Sequence, residues 1–204
     1  MVNPELNNSP ALRISNVVYG RERRADGRVT YLLNGNSGEA RAIPEEIVLK
    51  RWRSRRYANK SFRGFRLSPN FWRAIGLALG KNAEKIKALK IQEIEANFSK
   101  YKKDLKEQKY KIQSASNLIE VFRSLETHQL QLILDRHLDP DREDQYGTPD
   151  LFLFTSHKTT HAISRACFVE VKRPGEKLSD DQKNEINFLR NIGLKSRVFR
   201  LTER

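Results

Sequence analysis

The chain has 204 residues, 38% of them hydrophobic and 31% charged, which is enough to bury the core of one domain with an elaboration. Lysine and arginine number 39 against 25 acidic residues, so the net charge of +14 indicates a polyanionic partner, most simply nucleic acid, with an anionic membrane surface as the rival. One cysteine, Cys167, excludes an intramolecular disulfide, and the sequence contains no Cys/His zinc spacing.

Hydropathy gives no sign of a membrane protein. No apolar stretch approaches the roughly 18 residues that a membrane span needs, and residues 1–10 lack the basic-then-apolar layout of a secretory signal. We therefore expect no membrane association and a cytoplasmic protein.

Residues 1–42 are predicted to form an extension that contains a hairpin. The segments ISNVVYG and RVTYLLN are rich in β-branched residues, and an Asp26-Gly27 step lies between them.

Residues 43–140 are predicted to be a helical region. The first helix covers 43–57, because Pro44 suits a first turn and Glu45 and Glu46 suit the positive end of a helix dipole. Its buried side is assigned to Ile47, Val48, Trp52 and Tyr57.

Basic residues alternate with aromatic residues over positions 50–66. Basic side chains can contact phosphate and aromatic rings can stack on bases, although a packed core with solvated arginines has the same pattern. We expect the aromatic residues to be core and part of the basic residues to face nucleic acid. The candidate nucleic-acid-binding residues are Arg51, Arg53, Arg55, Arg56, Lys60, Arg63, Arg66 and, further along the chain, Arg173.

Two long charged helices are predicted to complete the helical region. Apolar residues at spacings of three and four over 82–112 predict a helix of about 30 residues, roughly 45 Å long. It either packs on the protein body or projects as an arm, which would permit a homodimer through this helix. A second helix is predicted from Ser114 or Ser116 to Leu138, because Pro140 ends it.

Residues 141–204 carry the candidate chemistry. Strands are predicted at 151–155 and 162–172, and Glu170 and Lys172 share a face with Phe168 because strand side chains alternate. If the strands pair, Asp150 meets Glu170 at one end of the sheet, where two carboxylates and a lysine suit a divalent cation and a water. A helix with a Ser179–Gln182 capping box then leads to a parallel strand at 195–201.

Three motifs in this segment resemble a nuclease family. They are Gly147, Pro149, Asp150 and Leu151; then Val169, Glu170, Val171 and Lys172; then Leu178, Ser179 and Gln182. This order is similar to the VRR-NUC branch of the PD-(D/E)XK superfamily, with its G-x-P-D-L, V-E-V-K and L-S-x-x-Q. The resemblance implies an α/β fold with a restriction-endonuclease-like mixed sheet, in which 141–204 is the core and the N-terminal elaboration is helical.

The resemblance also implies the roles of the site residues. Asp150, Glu170 and the backbone carbonyl of Val171 would hold Mg²⁺ or Mn²⁺, and Lys172 would orient the attacking water. Gln182 would lie near that water, although the capping box explains the same residue without any catalytic role.

Two further stretches are similar to the Fanconi-associated nuclease family. They are EEIVLKRWRSRRY, which begins at Glu45, and the stretch RHLDPDR over positions 136–142, which is similar to the family's R-H-L-x-x-D-x-R. In that family the first metal ligand is a glutamate in a His-x-E-G element, but the corresponding residues 62–66 contain no acid. Glu126 or Glu120 are therefore the candidates for a third carboxylate.

The predicted function is that of a metal-dependent DNA nuclease. Its setting is either branched or flapped DNA in repair and replication, or an antibacterial toxin that enters another cell and is neutralised by an immunity protein. The alternative is a basic nucleic-acid-binding module with a degraded, inactive site, which the acid-free segment 62–66 favours.

Overall fold

The structure is a computed structural model that describes residues 14–23, 29–33, 40–111, 113–140 and 147–203, with side chains described from residue 43 to residue 202 within those ranges. The predicted Asp26-Gly27 turn and residues 141–146, which include the last two residues of the RHLDPDR stretch, lie outside the described residues.

A seven-stranded mixed sheet forms the centre of the fold, with the strand order β3-β2-β1-β7-β6-β5-β4. The strands are β1 (Ile14–Arg23), β2 (Val29–Leu33), β3 (Ala40–Ala42), β4 (Lys60–Arg66), β5 (Leu151–His157), β6 (Ile163–Lys172) and β7 (Ser196–Glu203). β7 pairs parallel with β1 and β6, and the other neighbours are antiparallel. The predicted mixed α/β sheet is confirmed.

Eight helices are described around this sheet. They are α1 (Pro44–Arg53), α2 (Phe71–Leu79), α3 (Ala83–Ala88), α4 (Ile91–Lys100), α5 (Lys102–Glu107), α6 (Ala115–Ser124), α7 (Thr127–His137) and α8 (Asp180–Asn191). None of the described helices is long and apolar enough to cross a membrane.

Strands β5 and β6 are buried on both faces. One face packs Phe152, Phe154 and Phe168 against helices α2 to α7, and the other packs Leu153 and Val169 against α1. Phe168 and Val169 therefore point to opposite sides, as the strand alternation predicts. Glu170 and Lys172 follow Phe168 in this alternation, so they belong to the face of the large helical core.

The predicted 30-residue helix is wrong, because the segment 82–112 folds as three short helices. Leu89 (φ −66°, ψ 139°) and Lys90 (φ −84°, ψ 163°) are extended, and the Glu93 carboxylate accepts a hydrogen bond from the Lys90 N–H. The break lets Ile94 and Leu105, both 0% exposed, reach the same core. The segment thus packs on the protein body and does not project; a homodimer through it stays a prediction.

The other two predicted helices are also shorter than expected. The second long helix divides into α6 and α7 where Leu125 and Glu126 take extended backbone angles. The first helix ends at Arg53, and Tyr57, which we predicted to be buried, is 64% exposed. Packing of several short apolar faces on a twisted sheet has overridden the long helical periodicity in each case.

Strand β4 is the element that sequence analysis missed, since it lies inside the region predicted to be helical. It forms one edge of the described sheet and pairs with β5 from Lys60 to Arg66. Gly64 lies in its middle, where an added Cβ would come within 2.8 Å of the Phe152 carbonyl oxygen and 2.6 Å of the Leu153 side chain. A glycine inside a short basic segment conceals the alternating pattern of a strand.

Gly64→Ala should therefore destabilise the fold by about 1–3 kcal/mol, because a backbone carbonyl cannot rotate away from the new methyl group. Urea unfolding would measure the loss, with Ser61→Ala on the same strand as the control. Equal stability of the two variants would show that β4 does not approach β5 as closely as described.

Candidate active site

Asp150 and the end of β6 meet at one end of the sheet. Asp150 comes directly before β5, and its Oδ2 accepts a 2.7 Å hydrogen bond from the Val171 N–H. Its backbone oxygen accepts a 2.8 Å bond from the Leu67 N–H. Because both sides of the residue are fixed by main-chain groups, Asp150 is positioned by the sheet itself.

Glu170 is the centre of the site. It is 4% exposed, and its Oε1 accepts hydrogen bonds from Lys172 Nζ at 3.1 Å and from Gln182 Nε2 at 2.5 Å. Lys172 is also 4% exposed. The predicted group of Asp150, Glu170 and Lys172 is therefore assembled within the protein interior.

Crowding of these carboxylates raises their proton affinity. Burial, with repulsion from Asp150, raises the pKa of Glu170 to about 8 despite the attraction of Lys172. Burial also raises the pKa of Asp150 to about 6, with Glu45 adding repulsion and the Val171 N–H opposing it. Both acids therefore hold their protons to a higher pH than usual, and a cation bound beside them would favour their charged forms.

Gln182 combines the two roles that the sequence left open. Its backbone N–H donates to Ser179 Oγ at 3.2 Å, and its Oε1 accepts from the Ser179 N–H at 3.0 Å, which completes the capping box. Its Nε2 donates to Glu170 at 2.5 Å. The cap thus fixes the amide so that its free end reaches the carboxylate.

Glu176 is a site neighbour that sequence analysis missed. Its carboxylate accepts hydrogen bonds from Lys172 Nζ at 3.4 Å and from the Arg173 N–H at 3.0 Å. The Arg200 guanidinium donates to the Glu176 backbone oxygen at 2.6 Å, which holds the loop after β6. Glu176 lies four residues after Lys172, and this spacing was the available sequence signal. Outside a helix, however, residues at this spacing need not be neighbours.

Glu45 is a second missed residue, and it supplies a carboxylate from α1. Its Oε2 is buried and has no hydrogen-bond partner among the described residues. Its charge is close enough to raise the pKa of Asp150. Glu46, the next residue, accepts from the Ile43 N–H at 3.3 Å. One of the two acids thus serves the helix start, as predicted for both, and the other faces the site.

The two predicted third carboxylates have other partners. Glu120 accepts a 3.0 Å hydrogen bond from Arg63, and Glu126 is the residue from which α7 begins, with its N–H donating to Gln129. Glu45 and Glu176 both raise the pKa of Asp150, so Glu45 joins Glu120 and Glu126 as a candidate third ligand.

The predicted nucleic-acid-binding residues are all exposed, but several have protein partners. The Arg53 guanidinium donates to the Gly64 carbonyl at 2.5 Å, and Arg63 pairs with Glu120. Arg55 lies 4.7 Å above the centre of the Trp52 ring. Arg56 donates to the carbonyl of Arg53 at 3.3 Å. No such side-chain partner is described for Arg51, Lys60, Arg66 or Arg173.

The donor set fits a small divalent cation. Carboxylates of Asp150, Glu170 and Glu45 and the Val171 carbonyl are hard oxygen donors of the kind that Mg²⁺ and Mn²⁺ prefer. The Glu45 Oε2 is buried with no hydrogen-bond partner among the described residues, and the pKa values of Asp150 and Glu170 are raised first by burial and then, for Glu170, by repulsion from Asp150. Within the described residues no three His, Cys, Asp or Glu side chains lie close enough together to hold a metal ion by themselves, so water and substrate would complete the coordination.

A family model provides the decisive comparison. The model described as "VRR-NUC domain" matches residues 82–202, which is more than half of the chain. The chain belongs to the VRR-NUC domain family. The family resemblance predicted from the three motifs is thereby confirmed. No curated protein matches the chain by sequence.

Solved structures show the same fold at low identity. The structure of paFAN1 bound to 1-nucleotide 5′-flap DNA with a gap aligns at a TM-score of 0.54 and 14% identity, and covers 96% of this chain. The 2-nucleotide 5′-flap complex of paFAN1 aligns at 0.53 and 15%, also over 96% of this chain. The chain spans 38% of the length of either paFAN1 chain, so the likeness concerns the nuclease fold.

The described part of the R-H-L pattern has a structural role in this VRR-NUC domain. Glu185, 0% exposed on α8, accepts a 3.0 Å hydrogen bond from Arg136 Nε and lies 2.8 Å from His137 Nε2. Burial alone would raise the pKa of Glu185, but His137 and Arg136 hold it below its usual value. These contacts tie α7 to α8 one turn away from Gln182.

Affinity for Mg²⁺ or Mn²⁺ should rise with pH up to about 8, more steeply below about pH 6, where both acids hold protons, than between 6 and 8, where only Glu170 does. Glu170 and Asp150 hold protons up to about pH 8 and 6 respectively, and these protons must leave before a cation binds. Titration calorimetry in two buffers of different ionisation enthalpy would measure the proton release. Glu170→Gln should flatten the pH dependence, whereas Glu95→Gln on the exposed face of α4 should not; pH-independent affinity in the parent would contradict the charge balance described here.

His137→Ala should cost about 3 kcal/mol of folding free energy, because it removes one partner from the fully buried Glu185 carboxylate. His128→Ala, at an exposed position of the same helix, should stay within about 0.5 kcal/mol of the parent. Urea unfolding measures both variants. Equal losses would mean that the His137–Glu185 contact contributes little to holding α8.

Proposed function

We propose that the protein is a metal-dependent DNA nuclease that hydrolyses phosphodiester bonds. The observation that carries this proposal is the buried group of Asp150, Glu170 and Lys172 in a VRR-NUC domain. Burying such a group costs folding free energy, since two carboxylates repel each other and share a single lysine. Its presence in the interior therefore favours a catalytic role.

Each residue has a role that follows from its contacts. Asp150 and Glu170 would hold Mg²⁺ or Mn²⁺, with the Val171 carbonyl and Glu45 as further donors. The bound ion would supply positive charge at the scissile phosphate and lower the pKa of a water. Lys172 presents an ammonium group beside Glu170, where it can orient the attacking water and offset the negative charge that develops on the phosphate.

Gln182 and Glu176 support this arrangement from either side of Lys172 and Glu170. The Gln182 amide donates to Glu170 and restricts its rotation, so one carboxylate oxygen keeps a fixed direction. Glu176 provides Lys172 with a second partner and would hold its ammonium within reach when a cation draws Glu170 away. Both would act as positioning residues.

For the substrate, we favour flapped or otherwise branched DNA. The two paFAN1 structures are complexes with 5′-flap DNA, and the basic surface of this chain suits phosphate backbones. The same comparison favours repair or replication over an antibacterial toxin with its immunity protein. Because the chain matches only part of paFAN1, the proposal concerns the cutting of DNA by this domain.

Asp150→Asn and Glu170→Gln should each lower the cleavage rate by about 100- to 1,000-fold, because each removes a ligand charge at nearly constant size. Lys172→Ala should lose a similar factor, and Glu45→Gln a smaller one. The assay compares 5′-flap, single-stranded and plasmid DNA with Mg²⁺, Mn²⁺ or EDTA. Glu95→Gln is the matched control, since it neutralises an exposed acid remote from the site.

Two outcomes would contradict this proposal. If Asp150→Asn cleaved DNA at the parent rate under matched Mg²⁺, this site would not be the one that catalyses cleavage. Binding of DNA by the parent without cleavage in any metal would instead identify a nucleic-acid-binding module with an inactive site, and the acid-free residues 62–66 would then be the reason.

A further inference from the structure

A pocket lies on the sheet face opposite Glu170 and Lys172. It encloses about 220 Å³ between the end of α1, strand β4 and the outward side chains of β5, β6 and β7. Leu153 and Val169 form its floor, and they belong to the small core under α1. The pocket is therefore separate from the candidate active site, although both use the same strands.

Aromatic rings line one wall of this pocket. The Phe62 ring lies 5.1 Å from the Trp52 ring in an edge contact and 5.5 Å from the Tyr57 ring. Tyr57 is 64% exposed although its ring contacts that of Phe62. An exposed ring backed by rigid rings is a surface on which a planar group can stack.

The rest of the rim is basic. Among the described residues, five cations and no acid line the pocket, and none of the five is in an ion pair. These cations are Arg55, Lys60, Arg165, Lys195 and Arg197. Only two of them, Arg55 and Lys60, were predicted from the sequence to bind nucleic acid. Of the others, Arg165 lies on β6, Lys195 directly precedes β7 and Arg197 lies on β7.

We propose that this aromatic–basic pocket binds an unpaired nucleotide of single-stranded DNA, with the base stacked on Tyr57 and its phosphates held by the surrounding cations. A pocket with aromatic rings and cations but no acids suits a nucleotide, because the rings can stack on the base and the cations can contact the phosphate. A duplex would not fit this arrangement, because its bases are already stacked on each other. The inference rests on the proposed function only in taking DNA as the substrate.

The position of the pocket gives it a use on branched DNA. Leu153 lies three residues along β5 from Asp150, which is roughly 10 Å of strand. Since the two sites face opposite sides of the sheet, a single strand in the pocket is kept away from the carboxylates. The pocket would thus hold the unpaired branch of a substrate while another part of the DNA reaches the active site.

The test measures single-strand and duplex binding separately. Proteins carry Glu170→Gln to suppress cleavage, and the probes are a fluorescein-labelled oligothymidine of about ten nucleotides and a duplex of equal length. Tyr57→Ala should weaken single-strand binding by about five- to tenfold and duplex binding by less than about twofold. Arg123→Gln, an exposed arginine on α6, is the control and should not discriminate between the two probes.

Intrinsic fluorescence supplies a second reading. The chain has two tryptophans, and Trp72 is 1% exposed while Trp52 lines the pocket. Oligothymidine should quench the emission in the parent and in Arg123→Gln, and Trp52→Phe should remove the quenching. This reading does not depend on metal ions or on cleavage.

Several results would overturn the inference. If Tyr57→Ala weakened binding of the single strand and of the duplex equally, the pocket would contribute only general attraction to phosphate. Tighter binding of single-stranded RNA than of the matching DNA, or quenching by free thymidine monophosphate as strong as that by the oligonucleotide, would assign it to another ligand. A parent that fails to cleave DNA but shows the selective loss would refute the proposed function alone.

Discussion

Burial of two like charges is the constraint on which the site depends. Asp150 and Glu170 lie at the end of a strand pair beside Leu151, Val169 and Val171, which are buried hydrocarbon, so water screens the two acids poorly. In that setting a carboxylate either keeps its proton or acquires a positive neighbour. Burial raises the pKa of both acids, and Lys172 opposes that rise. A divalent cation would act in the same direction as Lys172, with a larger charge.

The surrounding fold keeps those charges in place through main-chain contacts and one helix. Pairing of β5 with β6 brings the Val171 N–H to Asp150, so the register of the sheet determines the distance between the acids. Helix α8 brings Gln182 to Glu170, and α8 is in turn tied to α7 through Glu185 and His137. Each tie is buried or capped, which makes the geometry stiff without requiring a ligand.

Sequence analysis predicted the strands of the candidate site because their signals are local. Alternation placed Glu170 and Lys172 on one face, and a capping box predicted the start of α8, so both were found without tertiary information. The prediction of two long helices failed because apolar residues at spacings of three and four continue across Leu89 and Leu125, where the backbone is extended. Strand β4 was not predicted because its basic and aromatic residues, with a central glycine, also suit a nucleic-acid-binding loop.

Glu45 shows why site residues from distant segments resist prediction. Two adjacent acids at a helix start have a sufficient local explanation in the helix dipole, so neither one points to the site. Glu46 closes locally onto the Ile43 N–H from the third helical position, whereas the Glu45 Oε2 is buried with no hydrogen-bond partner among the described residues. An orphaned carboxylate oxygen costs free energy in the folded protein. Because the charge of Glu45 also acts on Asp150, this oxygen makes Glu45 a candidate ligand that no local signal in the sequence distinguished.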